Sequence, residues 1–331
     1  MDPDRIAALL DALPERLRAA VSRCEPMSRH TSLRVGGPAD LYVRATVSED
    51  FAAIVALAQQ TDFPHFVLGG GTNICVSDLG IRALVICNAC EELELGPTTR
   101  VDTGYPMMRL SQQAAGAALS GLEFAIGLPG TLGGALVSNA GAYRHSIGEV
   151  VASVDVVEHG ERKSVGAEWM EFAYRDSRLR RGDRAPAAVI RATLRLEPRP
   201  RREILARARE NQAQRIHRQP WHPSAGSFFK NVYDRALAES LPTLPAPMKE
   251  AGIVPAGYLS SACGCKGLRV GGAQISRRHG NFVVNRGGAT AADIRALTAE
   301  VKRRVRERFG VELVEEVLFV GQWLEEEEVG R

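Results

Sequence analysis

Apolar residues near the start of the chain, Ile6, Leu9, Leu10 and Leu17, recur at roughly helical spacing and predict an amphipathic helix over 4–20. The pattern then shortens. A turn-rich segment, 30–40, leads into a strand at Leu41, Tyr42 and Val43, and a helical pattern follows over 49–60. Phe66, Val67 and Leu68 read as a short buried strand, and 83–87 as another. A helix is expected over 106–119. Val151, Val154, Val156 and Val157 alternate with small or polar residues as a strand does, and 189–196 reads alike. A helix over about 202–216 follows, then 231–258, where four prolines blur any period. Residues 281–285 predict a strand. Ile294, Leu297, Val301, Val305 and Phe309 share one face of a helix over 291–309, with Gly310 placed to cap it. A closing strand is expected over 311–320, and a frayed acidic tail after it. Strands and helices intermix without a strict repeat, so the fold class is α+β, or mixed α/β.

Two stretches break the periodicity with glycine. Strand 66–68 runs directly into Gly69, Gly70, Gly71, Thr72 and Asn73, and residues 121–143 (GLEFAIGLPGTLGGALVSNAGAY) hold six glycines. Glycine is costly to order and poor in both helix and strand. What it offers is close backbone approach to a ligand, with N–H groups free to face phosphate or ring atoms. Either stretch alone is equally a tight turn between core strands. Two in one chain suggest an extended ligand bearing phosphates.

Composition narrows the class. The chain has 331 residues, long enough for two or three packed units. Its 42 basic and 39 acidic residues leave a net charge of +3, too little for an expected nucleic-acid partner. No apolar run is long enough for a membrane helix, and the charged N-terminus lacks a secretory pattern, so a cytoplasmic protein is expected. Six cysteines are spaced unlike a zinc site, and free thiols and no metal are expected.

Three segments carry reactive side chains. In 172–177, Arg175 beside Tyr174 can hold a carboxylate or stabilise charge developing on it; a surface ion pair with Asp176 is the structural alternative. In 223–231, small residues expose Ser227, with Lys230 and Asn231 as donors; the nucleophile-elbow pattern is missing, and a turn serine is the alternative. In the last segment Glu315 and Glu316 lie on opposite faces of the expected strand, and periodicity does not say which points inward.

Taken in order, RxGGPA (34–39), GGGTN (69–73), the long glycine-rich stretch (121–143), YRDS (174–177), PSAGSFFKN (223–231), CKGLRVGGAQIS and RHGNFVVN (265–285), and ELVEEV (312–317) closely resemble the UDP-N-acetylenolpyruvoylglucosamine reductases. The resemblance covers about 28–321. It implies a two-subdomain FAD-binding portion of the vanillyl-alcohol-oxidase-like type, followed by a C-terminal α+β substrate-binding domain. The implied division is an N-terminal helical segment 1–27, the FAD-binding portion 28–199, the substrate domain 200–322 and a tail 323–331.

Non-covalent FAD is implied, held by Gly69, Gly70, Gly71, Thr72 and Asn73 together with Gly127, Pro129, Gly130, Thr131, Gly133, Gly134, Asn139, Ala140 and Gly141. NADPH is the implied co-substrate. The implied reaction reduces the enolpyruvyl ether of UDP-N-acetylglucosamine to UDP-N-acetylmuramate in peptidoglycan precursor synthesis. Ser227 falls at the family's proton donor, and Arg175 and Glu316 where the family stabilises the enolate. Tyr174, Lys230, Asn231, Lys266 and His279 match positions near the UDP-sugar. A monomer or weak homo-oligomer is expected. Ser260, Ser261 and Val232 depart from the family pattern, 232–255 looks inserted, and the short gap from Tyr174 to Ser227 favours the subtype lacking an extra tyrosine-bearing loop. The competing readings are a flavin oxidase of the same superfamily and a non-catalytic nucleotide-sugar binder.

Overall fold

The computed structural model describes residues 2–182 and 186–324, so the acidic run 325–328 lies outside the described residues. Contacts divide the chain into two units that are not consecutive in sequence. One comprises Met1–Glu25, Pro38–Gly71 and Ile81–His217; the other comprises Pro26–Gly37, Thr72–Gly80 and the chain from Arg218 onward. The GGGTN loop therefore crosses from one unit to the other between Gly71 and Thr72. Helix Arg201–Arg218 lies almost wholly in the first unit, whereas a linear division at 199/200 assigns it to the substrate domain.

The first unit holds two sheets. In one, strands Ser22–Pro26, Pro38–Ala45, Ile81–Asn88 and His65–Leu68 lie in that order, and the last three run parallel. Helix Ser48–Gln60 buries Phe51, Ile54 and Val55 against Leu41, Val43, Leu84 and Ile86 of this sheet. The same cluster includes Val157, Ala188 and Ile190 of the second sheet, so one helix serves both. That second sheet is antiparallel, in the order Glu161–Gly166, Val151–Glu158, Ala187–Arg195, Thr98–Asp102 and Leu93–Glu94. A separate cluster packs helix Met107–Gly116 against it through Met107, Leu110 and Ala114.

The second unit is built on a four-stranded antiparallel sheet, in the order Ser224–Ser227, Phe282–Asn285, Ala273–Ile275 and Arg269–Val270. Helix Ala291–Phe309 buries Ile294, Leu297, Val301 and Val305 into its core. Thr290 and Asp293 form a capping box at its start, Asp78 accepts from the N–H groups of Ala291 and Ala292 (both 2.9 Å), and Gly310 ends it with φ +68°. The segment that looked inserted is framed by a two-stranded pairing of Val232–Tyr233 with Ile253–Val254. Between these strands stand two short helices, Arg235–Ser240 and Ala246–Ala251, with Ala238, Leu241 and Leu244 anchored in the core.

Three expected elements differ. The helix over 4–20 is two, Pro3–Ala12 and Glu15–Arg18, because Pro14 forces Leu13 into extended backbone (ψ 141°). The glycine-rich stretch is not all loop: Leu132–Val137 is a short helix capped by Thr131. Its Gly133 N–H donates to Thr103 O at 2.7 Å, and a Cβ at Gly133 would stand 3.0 Å from that same oxygen. The closing strand shrinks to Leu318–Val320, paired in parallel with Ile74–Val76. Residues ahead of it make a single bridge, Phe229 with Glu315, and no continuous ladder.

Asp102 is the buried polar anchor of the first unit. It is fully enclosed and accepts from Ser48 Oγ (2.6 Å), Glu92 N (3.0 Å) and Arg191 Nε (2.9 Å), tying helix Ser48–Gln60 to the antiparallel sheet. Removing one partner of a buried charge pair leaves the other desolvated and unmatched. Asp102→Ala is expected to lower stability by about 3 kcal/mol, read from urea denaturation. A loss below about 1 kcal/mol, the range of exposed pairs, would refute that anchoring role.

Candidate active site

In the first unit the two glycine-rich loops lie against each other. A Cβ on Gly69 would stand 2.5 Å from Thr131 Oγ1, and one on Gly70 would stand 2.8 Å from Gly130 Cα. Neither position has room for a side chain, and Gly130 holds φ +95°, a conformation L side chains rarely adopt. The result is a wall of bare backbone, 69–70 against 130–131, of the kind that lets main-chain atoms approach a phosphate or a flat ring.

The downstream end of the same stretch is fastened to the segment carrying Arg175. Asn139 donates through Nδ2 to Ala173 O (2.8 Å) and accepts from Gly148 N (3.1 Å), and Ser177 Oγ donates to Val137 O (2.7 Å). Reciprocal backbone bonds between Ala173 and Asp176 (3.0 and 3.2 Å) close a turn with Tyr174 and Arg175 at its tip. Arg175 takes a left-handed φ of +53°, its guanidinium donates to Gly141 O, and it lies 5.4 Å from the Tyr174 ring centroid. Asp176 pairs with Arg181 (3.4 Å), so the ion pair raised from sequence as an alternative for Arg175 goes to another arginine.

A second arginine, which sequence reasoning missed, belongs to this neighbourhood. Arg215 donates to Phe124 O (3.0 Å), and its guanidinium sits 5.8 Å from the centroid of the Tyr143 ring. Tyr143 donates in turn to Asn211 O (2.7 Å). Burial pushes the Arg215 guanidinium below its ordinary value; Tyr143 works against that shift, and nearby Arg175 adds to it. Two neighbouring cations beside the glycine-rich stretch suit an anionic group. No sequence signal separates Arg215 from the other arginines of its helix.

The second unit brings Ser227, Glu316 and Asn73 together through backbone. Glu316 N donates to Phe228 O (2.7 Å), Lys230 N to Val314 O (2.8 Å), and Asn73 Nδ2 to Glu316 O (3.1 Å). Gly226 precedes Ser227 with φ +80°, at an irregularity in the pairing of Ser224–Ser227 with Phe282–Asn285, and such bulges re-aim the next side chain. Phe228 and Phe229 are both buried, 5.4 Å apart in an edge contact, and hold the segment down. Asn281, also missed from sequence, clamps it from the sheet, bonding Phe229 N and Phe229 O at 2.9 Å each.

The two glutamates separate by partner. Glu315 accepts from Lys302 of the long helix at 3.0 Å. Glu315 is therefore engaged in an ion pair that only the fold creates. Asn231 Oδ1 accepts from Ala256 N (3.3 Å), so part of that side chain holds helix Ala256–Ala262. His279 Nδ1 accepts from Asn281 N (3.2 Å), which leaves its proton on Nε2, and its ring packs 4.8 Å from Phe282. Lys266 is exposed and Lys230 half-buried. Ser261, at a departure from the family pattern, donates to Gly257 O at 2.5 Å.

Comparisons with known proteins identify the family. A family model described as an FAD binding domain matches residues 39–162, and one described as the C-terminal domain of UDP-N-acetylenolpyruvoylglucosamine reductase matches 218–320. A reductase of that name from Geobacter metallireducens is 38% identical over 314 residues, covering 94% of this chain and 97% of its own. The chain belongs to the UDP-N-acetylenolpyruvoylglucosamine reductase family. Its relative from Bacillus subtilis is 35% identical over 318 residues, covering 95% and 98%. The crystal structure of the Thermus caldophilus reductase superposes with a TM-score of 0.72 at 35% identity, over 90% of this chain and 98% of that one. As a member of this family the protein is an FAD-containing oxidoreductase with an FAD-binding domain and a reductase C-terminal domain. Among the described residues no helix is long and apolar enough to cross a membrane, and no group of three or more His, Cys, Asp or Glu is arranged to hold a metal.

The packed glycines give a direct test. Gly70→Ala forces a Cβ against Gly130 Cα, and overpacking of this kind costs about 1–3 kcal/mol, so FAD should bind about 10- to 100-fold more weakly. Flavin titration with unchanged far-ultraviolet circular dichroism checks it; wild-type affinity would show that the cradle lies elsewhere.

Proposed function

We propose that this protein reduces the enolpyruvyl ether of UDP-N-acetylglucosamine to UDP-N-acetylmuramate for peptidoglycan precursor synthesis, with NADPH as reductant. The observation that carries the residue assignment is the backbone bond from Glu316 N to Phe228 O, 2.7 Å, which joins the Ser227 segment to the Glu316 segment. FAD, held when bound by the glycine-rich loops, would supply hydride for the terminal methylene carbon of the enolpyruvyl group, with NADPH as its source. The residues of this chain handle the consequences.

Hydride addition pushes an electron pair towards the neighbouring carbon and its carboxylate. Arg175, held at the tip of its turn by the Gly141 carbonyl, opposes that charge with a cation. Its left-handed backbone fits a residue positioned for function at some local cost, because such strain persists where the surroundings enforce it. Ser227 delivers a proton to that neighbouring carbon, and solvent restores the hydroxyl. The Glu316 carboxyl, as an acid, is assigned to the same task of stabilising the enolate. A serine hydroxyl is a weak acid, so its transfer relies on orientation more than on acidity.

Gly69, Gly70, Gly71, Thr72 and Asn73 hold the cofactor together with Gly127, Pro129, Gly130, Thr131, Gly133, Gly134, Asn139, Ala140 and Gly141. Support for that assignment is the close approach of 69–70 to 130–131 within the first unit. Tyr174, Lys230, Asn231, Lys266 and His279 contact the UDP-sugar, with His279 offering its Nε2 proton as a donor.

Ser227→Ala is expected to leave reduction of the flavin by NADPH within about twofold of wild type. Reoxidation by the enolpyruvyl sugar nucleotide should fall at least about 100-fold, the lower range for a positioned acid. Stopped-flow absorbance resolves the two half-reactions, and equal losses in both would remove the proton-donor role.

A further inference from the structure

Six residues ahead of Ser227 the chain carries an aromatic residue with no part in the core. Trp221 is 81% exposed, the most solvent-accessible large apolar side chain among the described residues, whereas Trp169 and Trp323 are half-buried. An indole left in water gives up the burial that normally favours so large a ring. Its surroundings are cationic. The guanidinium of Arg278 sits 5.7 Å from the indole centroid, and the neighbouring His222 is bonded to Arg286. Pro220 and Pro223 bracket the pair, and the Pro223 carbonyl accepts from Asn285 N at 2.9 Å, fixing the segment to the sheet that presents Ser227. The indole is thus a flat platform with a cation beside it, held at the edge of a rigid strand pairing.

We propose that Trp221 stacks on the uracil ring of the UDP-sugar, with Arg278 beside the indole and Arg286 nearby supplying positive charge for the diphosphate. The proposal rests on the reading of Ser227 as proton donor to that substrate. A nucleobase presents a π-face to an aromatic ring whatever its hydrogen-bonding edge, and a diphosphate beside it favours arginine. The spacing fits a substrate whose reacting and nucleotide ends lie apart: six residues, 221 to 227, span at most about 20 Å when extended, and all belong to one unit. Trp221 would act as a specificity-determining residue for the nucleotide end while leaving the chemistry to the residues already assigned.

The test uses the FAD-loaded enzyme. Trp221→Ala should raise the KM for the enolpyruvyl UDP-sugar about 10-fold or more, leaving kcat at saturation and the KM for NADPH within about twofold, and Trp221→Phe should recover most of the loss. In the wild type, uridine diphosphate alone should quench indole fluorescence, and that quenching should disappear in Trp221→Phe. An unchanged sugar-nucleotide KM in Trp221→Ala, or a rise confined to NADPH, overturns the proposal. If wild-type enzyme reduces no enolpyruvyl sugar nucleotide, the functional reading fails instead; quenching by uridine diphosphate that Trp221→Phe abolishes would still uphold the platform.

Discussion

A handful of main-chain hydrogen bonds holds together the chemistry-bearing part of the second unit. Val314 and Phe228 carbonyls accept from Lys230 and Glu316, and Asn73 contributes its own carbonyl to Leu318 N at 3.0 Å and its side chain to the Glu316 carbonyl. Three stretches far apart in sequence, 73, 227–230 and 314–318, thereby occupy one place. Backbone bonds suit this task because they fix position without consuming the side chains. Here peptide groups do the holding. The buried Phe228 and Phe229 pair and the Asn281 clamp act in the same direction, by denying the segment alternative conformations.

The first unit meets a different demand, which is to bring backbone close to a cofactor. Absence of atoms does the work there. Gly69 and Gly70 abut Thr131 and Gly130 at distances that exclude any Cβ, and the stretch that continues to Gly141 carries Arg175 along with it through Asn139 and Ser177. The glycine-rich wall and Arg175 are thus parts of one hydrogen-bonded assembly. Anchoring of a different kind, the Asp102 junction with Ser48 and Arg191, joins the helix layer to the sheet that supports it.

Where the chain's own period is strong, the elements could be read directly. Helix Ala291–Phe309 declares its buried face and its terminal glycine within a continuous run of residues, and it forms between those limits. Strand Val151–Glu158 and helix Ser48–Gln60 are similarly local decisions. The readings that slipped concern segments governed from outside. Residues 311–317 alternate like a strand, yet the partner they meet is an irregular loop, which supports one bridge and no ladder. The helix Leu132–Val137 forms despite two glycines because Thr103 accepts from Gly133.

Order and identity of short motifs were sufficient to recognise the family and to anticipate FAD, because residue types at fixed places along one chain carry those facts; the same motifs nominate Arg175, Ser227 and Glu316. Other facts depend on distance in space. The hold of Lys302, on a helix elsewhere in the sequence, on Glu315 is one of them. Arg215 and Asn281 look like any surface arginine and any strand-edge asparagine until Phe124 and Phe229 are found beside them. Burial and hydrogen-bond partnership are relations between residues remote in sequence, and only tertiary structure supplies them.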